Sequence, residues 1–293
     1  MKRYHSWLSI CVLVATALTV LFLVNEKEAS TESQHHTEKN ESQKSVSKPF
    51  TMLLMGVDER DHDKGRSDVL MLASVNPTTN EARLLQIPRD TRAEIVGKGT
   101  YEKINHAYAY GGIDMTVQTV EKFLHIPVDY YMKIDMNGFK DIVNILGGIE
   151  VENEFTFTFQ QHTFEKGNLT LNGEEALAYV RMRKEDPEGD LGRNKRQREV
   201  LKAMLAKVLD TDLVTHLPEL LTVAKNEVDT NVGMSDMIMV YQMVKNGVPT
   251  IEPVVAKGEV QMMDGIWYYF IDAKEKEHVS TMMQYEYETT IKQ

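Results

Sequence analysis

The stretch from Arg181 to Arg198, RMRKEDPEGDLGRNKRQR, constrains this chain most, because it sets charge where a helix must bury. It holds seven basic and four acidic residues in a chain whose formal net charge is −11. After the break at Pro187 to Gly189, LGRNKRQREVLKAMLAKVL reads as a helix with Val200, Leu201, Met204, Leu205 and Val208 as its apolar stripe. At about 100° per residue, Arg193 and Gln197 continue that stripe and Arg196 lies on its border, while Lys195, Arg198 and Glu199 point away. A charge facing a core without compensation is costly. The helix is therefore expected to begin at a cleft that holds an anion. Arg181 and Arg183, two residues apart, would share a face if Tyr179 to Lys184 were extended. Guanidinium donates in a planar fork that fits phosphate oxygens, and a helix N-terminus adds N–H groups and a favourable dipole. The plainer alternative is a solvated charged loop with internal Asp–Arg pairs.

Composition narrows the classes. A net charge of −11 excludes general nucleic-acid binding, which needs a broad basic surface. The single cysteine, Cys11, lies in the N-terminal apolar run, so no disulfide or cysteine-based metal site can form in the folded part. Lys2 and Arg3 precede that run, Trp7 to Val24, which is near the lower length limit for a membrane span and has no good cleavage site. The expected organisation is a cytoplasmic N-terminus (1–6), a transmembrane signal anchor (7–24), a polar tether (25–48) and one extracellular domain (49–293), in single-pass type II orientation.

The domain reads as α/β, a central mixed β-sheet flanked by helices. Phe50 to Val57, Val69 to Val75 and Ala82 to Ile87 are expected strands. Tyr130 to Met136, Ile149 to Phe159, Thr250 to Ala256 and Gly265 to Ile271 are further strands, the last two closing the sheet. Helices are expected at Ile113 to Leu124, Gly138 to Leu146, Leu171 to Tyr179, Leu213 to Asn226, Met234 to Lys245 and Ala273 to Tyr285. There is no internal repeat, no Gly-x-Ser-x-Gly, no Walker loop and no HExxH. What recurs is Asp and Arg at element ends: Asp58, Arg66, Asp68, Arg89, Asp90, Arg181, Arg183, Asp190, Arg193 and Arg196. Paired carboxylates suit a hard cation such as Mg²⁺, and arginines suit the phosphates bridging to it. Together they are the equipment of phosphoryl transfer. If the first two strands form a hairpin, Asp58 and Asp68 face each other across its loop.

Six motifs then appear in order: Met55-Gly56-Val57-Asp58, Arg66-Ser67-Asp68, Ile87-Pro88-Arg89-Asp90-Thr91, Lys103-Ile104-Asn105-His106-Ala107-Tyr108, LNGEEALAYVRMR from Leu171 to Arg183, and Asp190-Leu191-Gly192-Arg193 with Arg196-Gln197. In these the chain resembles the LytR-CpsA-Psr family of bacterial cell-wall proteins, and within it the Bacillus-type teichoic acid transferases. The resemblance implies a membrane-anchored enzyme that takes a glycopolymer from a polyprenyl-pyrophosphate carrier, its lipid tail held between sheet and helices. The phosphorylated polymer would pass to a peptidoglycan hydroxyl, and polyprenyl phosphate would leave. By motif position, Asp58 and Asp68 would hold Mg²⁺. Arg66, Arg89, Arg181, Arg183, Arg193 and Gln197 would hold the pyrophosphate, and Arg196 joins them from the basic stretch. Arg89 would also count among the catalytic residues. Asp90 or Asp190 would be the general base, or would orient Arg89 or Arg193 by a salt bridge. The other readings are a non-catalytic module that captures the lipid carrier or wall polymer, a pyrophosphatase, and a membrane-bound transcriptional attenuator. The last is opposed by an acidic, exported domain with no DNA-binding motif. The seventeen methionines, many in Met204 to Met243 and Met262 to Met283, would suit either a lipid-binding wall or ordinary core packing.

Overall fold

The computed structural model describes residues 48–58, 65–210, 213–233, 236 and 250–284. The expected anchor and, but for Asp236, the helix at Met234 to Lys245 lie outside the described residues, as does all of the tether but Lys48. No helix among the described residues is long and apolar enough to cross a membrane.

The centre is a six-stranded mixed sheet. Its strands are β1 (Phe50–Val57), β2 (Ser67–Asn76), β3 (Glu81–Gln86), β6 (Tyr130–Asp135), β11 (Val228–Thr230) and β12 (Thr250–Val254), in the order β11-β6-β1-β2-β3-β12. The β1–β2–β3 meander is antiparallel, whereas β6 joins β1 and β12 joins β3 in parallel. Strands this apolar are buried on both faces, and their period of two splits them between two cores. Phe50, Met52, Met71, Ala73, Ala82 and Leu84 face one core; Leu53, Met55, Val57, Leu70, Leu72 and Leu85 face the other. Helices α1 (His106–Leu124) and α6 (Ala273–Met283) cover the second face through Val120, Phe123, Leu124, Val279 and Met283. On the first face lie α2 (Met136–Ile145), α3 (Gly173–Arg181), α4 (Asp190–Asp210) and α5 (Leu213–Glu227), with a further core of Ile142, Val143, Tyr179, Val200 and Met204.

Several elements differ from expectation. Helix α1 begins seven residues earlier than Ile113 and is kinked at Gly111 and Gly112, where φ is 65° at Gly112. The single strand expected over Ile149 to Phe159 is β7 (Ile149–Asn153) followed by β8 (Phe157–Phe159), β9 (His162–Phe164) and β10 (Gly167–Leu171), which form two small hairpin sheets. A hairpin of β4 (Arg92–Ile95) and β5 (Thr100–Lys103) was not foreseen. The run at Gly265 to Ile271 does not close the main sheet. It forms β14 (Ile266–Phe270), which pairs with β13 (Glu259–Met263) in a separate two-stranded sheet.

Short-range chemistry fixes the helices near the sheet's business end. Asn172 caps α3 with Glu175 in a reciprocal capping box. Gly173 follows because a Cβ there would meet the Lys140 carbonyl oxygen of α2 at 2.3 Å. Gly173→Ala should therefore push α3 off α2 and lower stability by about 1–3 kcal/mol. Thermal unfolding reads the loss, and an unchanged midpoint would mean that the helices part freely.

Candidate active site

Between the first sheet face and α2, α3 and α4 lies a cavity of about 270 Å³. Its walls are apolar: Leu54, Val69 and Met71 from β1 and β2, Met132 and Ile134 from β6, Phe139 from α2, Leu177 and Val180 from α3, Val200 and Met204 from α4. The polar residues lining it include Asp68, Arg89, Arg181, Arg183, Arg193 and Gln197. Thus five of the seven side chains expected to bind pyrophosphate share one cavity with the apolar wall. Gln197 also accepts a hydrogen bond from the Gln86 carboxamide of β3 at 2.9 Å, tying helix to sheet.

The carboxylates are set by the hairpin. Asp58 follows β1 and donates its N–H to the Arg66 carbonyl at 3.2 Å. Gly56 pairs with Val69 but Val57 pairs with Ser67, so Asp68 is the extra residue of a β-bulge. Bulges re-aim side chains at site edges, and this one brings Asp68 into the cavity lining. Each carboxylate meets an arginine: Asp68 with Arg89 at 2.7 Å and Asp58 with Arg181 at 3.1 Å. Among the described residues no three His, Cys, Asp or Glu gather into a metal site. Two carboxylates at one hairpin end nevertheless fit Mg²⁺, which is often held by one or two carboxylates with substrate phosphates and water completing the octahedron. Asp135, at the far wall, was not foreseen; it caps α2 by accepting from the N–H groups of Asn137 and Gly138 at 2.9 Å.

Arg181 and Arg183 do converge on the cavity, but not through an extended segment. Arg181 ends α3 in helical geometry, and the chain leaves the helix at Met182, where ψ is 135°. Arg193 is buried and on the inward face with Val200 and Met204, as the helical period requires.

Arg196 requires correction. It does not line the cavity; its guanidinium is engaged behind it. Nε donates to the Tyr179 carbonyl at 3.1 Å, while the terminal nitrogens bond the Met182 carbonyl and the Asp186 carboxylate. The ring of Phe157 lies 5.3 Å from the guanidinium carbon. Asp186 in turn accepts from the Glu188 N–H at 2.7 Å, and so organises the turn between α3 and α4. Gly192 makes room, since a Cβ there would lie 2.1 Å from both Asp186 oxygens. Arg198 also departs from expectation: it is partly buried and reaches Gln86 at 3.3 Å rather than pointing away.

Asp90 is held by Lys103 at 2.7 Å, and Arg89 pairs with Asp68 at 2.7 Å. Neither Asp90 nor Arg66 is among the cavity-lining residues, and Arg66 is exposed. Asp190 begins α4, and its side chain lies outside the described residues. Of the methionine-rich stretches, Met204 lines the cavity. Met262 and Met263 are exposed on the β13–β14 hairpin, and Met283 belongs to the opposite core. The other methionines of the wall, Met71, Met132 and Met136, lie elsewhere on β2, β6 and α2.

An arginine cluster opening onto an apolar cavity accommodates an amphiphile with an anionic head. The chain belongs to the LytR-CpsA-Psr family: residues 18–285 match the LytR_cpsA_psr family. It is 45% identical over 247 residues to the polyisoprenyl-teichoic acid–peptidoglycan teichoic acid transferase TagU of Bacillus mycoides, covering 84% of this chain and 81% of that protein. The crystal structure of Bacillus subtilis TagU superposes with a TM-score of 0.64 at 42% identity, over 80% of this chain and 95% of that one. A structure of TagT bound to LI-WTA superposes with a TM-score of 0.67 at 31% identity, over 85% of this chain and 98% of that one.

Proposed function

We propose that this chain is a membrane-anchored phosphotransferase. It moves an anionic, teichoic-acid-type glycopolymer from a polyprenyl-pyrophosphate carrier to a peptidoglycan hydroxyl. The observation that carries this reading is the joining of an apolar cavity to four arginines, Arg89, Arg181, Arg183 and Arg193. The apolar walls take the start of the polyprenyl chain by excluding water from it. The arginines hold the pyrophosphate and neutralise charge as the bridging bond breaks. The TagU name of the relative states the same transfer, and the TagT structure holds LI-WTA.

In the reaction an acceptor hydroxyl oxygen forms a bond to the phosphorus bearing the polymer. The phosphoanhydride P–O bond breaks, polyprenyl phosphate leaves, and a phosphodiester remains. Asp58 and Asp68 would hold Mg²⁺, which supplies further charge neutralisation on the phosphates when bound. Arg89, held by Asp68, is placed on the reacting phosphoryl group. Asp190 at the start of α4, or Asp90, which pairs with Lys103, would take the hydroxyl's proton. An N-terminal anchor over 7–24 would keep the domain on the outer face of the membrane, beside its lipid-linked donor.

The test uses the full chain in nanodiscs with a polyprenyl-pyrophosphate-linked saccharide, peptidoglycan oligomers and Mg²⁺. Polyprenyl phosphate release and saccharide attachment are followed together. The expected result is release that depends on acceptor and matches attachment. Release without attachment would make the chain a pyrophosphatase, and tight donor binding without release would make it a capture module.

A further inference from the structure

On the proposed reading, the acceptor must reach the phosphate from outside the lipid cavity. The β4–β5 and β13–β14 hairpins are both fastened to the segment that carries Arg89. The Tyr269 N–H of β14 donates to the Asp90 carbonyl at 2.8 Å, and Thr91 bridges Tyr269. The N–H groups of Ile104 and Asn105, just after β5, donate to the carbonyls of Thr91 and Arg89 at 2.8 and 3.3 Å.

The two hairpins share a run of aromatic side chains. Register puts Arg92, Glu94, Tyr101 and Lys103 on one face of β4–β5, and Gln261, Tyr268 and Phe270 on one face of β13–β14. Arg92 joins the faces: its guanidinium carbon lies 4.6 Å from the Tyr101 ring centre and 5.7 Å from that of Phe270. Phe270 then meets Tyr268 at 6.3 Å, edge to face. Tyr101 is 54% exposed. At the other end Lys103 pairs with Asp90, next to Arg89. Aromatic rings on a monomer surface mark an interaction site when they form a contiguous patch.

We infer that this Tyr101–Arg92–Phe270–Tyr268 strip seats the acceptor glycan and delivers its hydroxyl to Arg89. Flat rings interleaved with a guanidinium and a carboxamide match the alternating C–H and hydroxyl faces of an aminosugar chain. The two faces carry no basic excess to draw the anionic donor polymer: Arg92 and Lys103 are matched there by Glu94 and Glu259. The glycan of peptidoglycan has no such backbone charge. Continuity with the Arg89 segment supplies the route. The inference rests on the transferase reading for the hydroxyl's fate, and on the surface alone for glycan binding.

The experiment uses the full chain in nanodiscs as wild type, Tyr101→Ala, Tyr268→Ala and Tyr268→Trp. Donor-free binding of peptidoglycan oligomers is titrated first, and then transfer at saturating donor. Each alanine should weaken oligomer binding and raise acceptor KM about tenfold, the effect of one lost stacking contact of about 1.4 kcal/mol. kcat, donor affinity and the unfolding midpoint should stay near wild type, and Tyr268→Trp should restore binding. Should transfer fail altogether, donor-free binding still decides the surface. Unchanged oligomer binding in both alanine variants would overturn the inference.

Discussion

Arg196→Ala should unfold the α3–α4 corner and cost about 3–5 kcal/mol of stability, the usual effect of leaving one member of a buried ion pair alone. The Asp186 and Arg196 side chains are 2% and 7% exposed. Removing the guanidinium strands Asp186 in a region too dry to solvate it. It also leaves the carbonyls of Tyr179 and Met182 without their donors. Both lie beside Arg181 and Arg183, so the loss reaches the phosphate-binding end of the cavity. For a domain of this size the unfolding midpoint should fall by roughly 10 °C. Calorimetry on wild type and variant reads it, and a shift under 2 °C would show that the pair is dispensable. The double variant Asp186→Asn with Arg196→Met should recover much of the loss, because it leaves no buried charge unpaired.

Arg89→Ala should act in the opposite way, with little effect on folding and a large effect on rate. Its side chain and that of Asp68 are 23% and 29% exposed, so their bond is screened and contributes less than about 1 kcal/mol. At the phosphate the same guanidinium meets charge that builds only as the anhydride breaks. Losing such a group lowers kcat by about 10²–10³-fold. Arg89→Lys keeps the charge but not the fork and should recover only part of the rate. Initial rates of polyprenyl phosphate release, with donor binding measured alongside, separate the two. Wild-type rates in Arg89→Ala would remove this residue from the reaction and leave Arg181, Arg183 and Arg193 to explain it.

Legibility in the sequence depended on how local each signal was. The apolar runs FTMLLMGV and LMLASV gave β1 and β2, because strands buried on both faces leave no ambiguity about burial. Arg193 and Gln197 could be aimed inward from helical period alone, since Val200 and Met204 fix the phase of α4. Arg196 could not be assigned: its partner Asp186 lies across a turn, and its other acceptors are carbonyls at the end of α3. The stretch IWYYF looks like core by composition and is a partly exposed hairpin strand, because sequence reports apolarity and not what covers it. The β4–β5 hairpin is illegible for a different reason: four-residue strands carry too little alternation to stand out.

The bulge at Asp68 separates two kinds of sequence change. The loop joining β1 and β2 can gain or lose residues before Ser67 without altering which way any side chain of β2 points, since the pairing from Val69 onward is fixed by β1. Deleting one residue between Ser67 and Val69 is another matter. It would remove the extra residue and restore plain alternation, and the carboxylate would lose the position that brings it into the cavity lining. Length variation among homologues should therefore collect in the loop and stop abruptly at Ser67, with the Ser-Asp-Val step inherited as an indivisible unit.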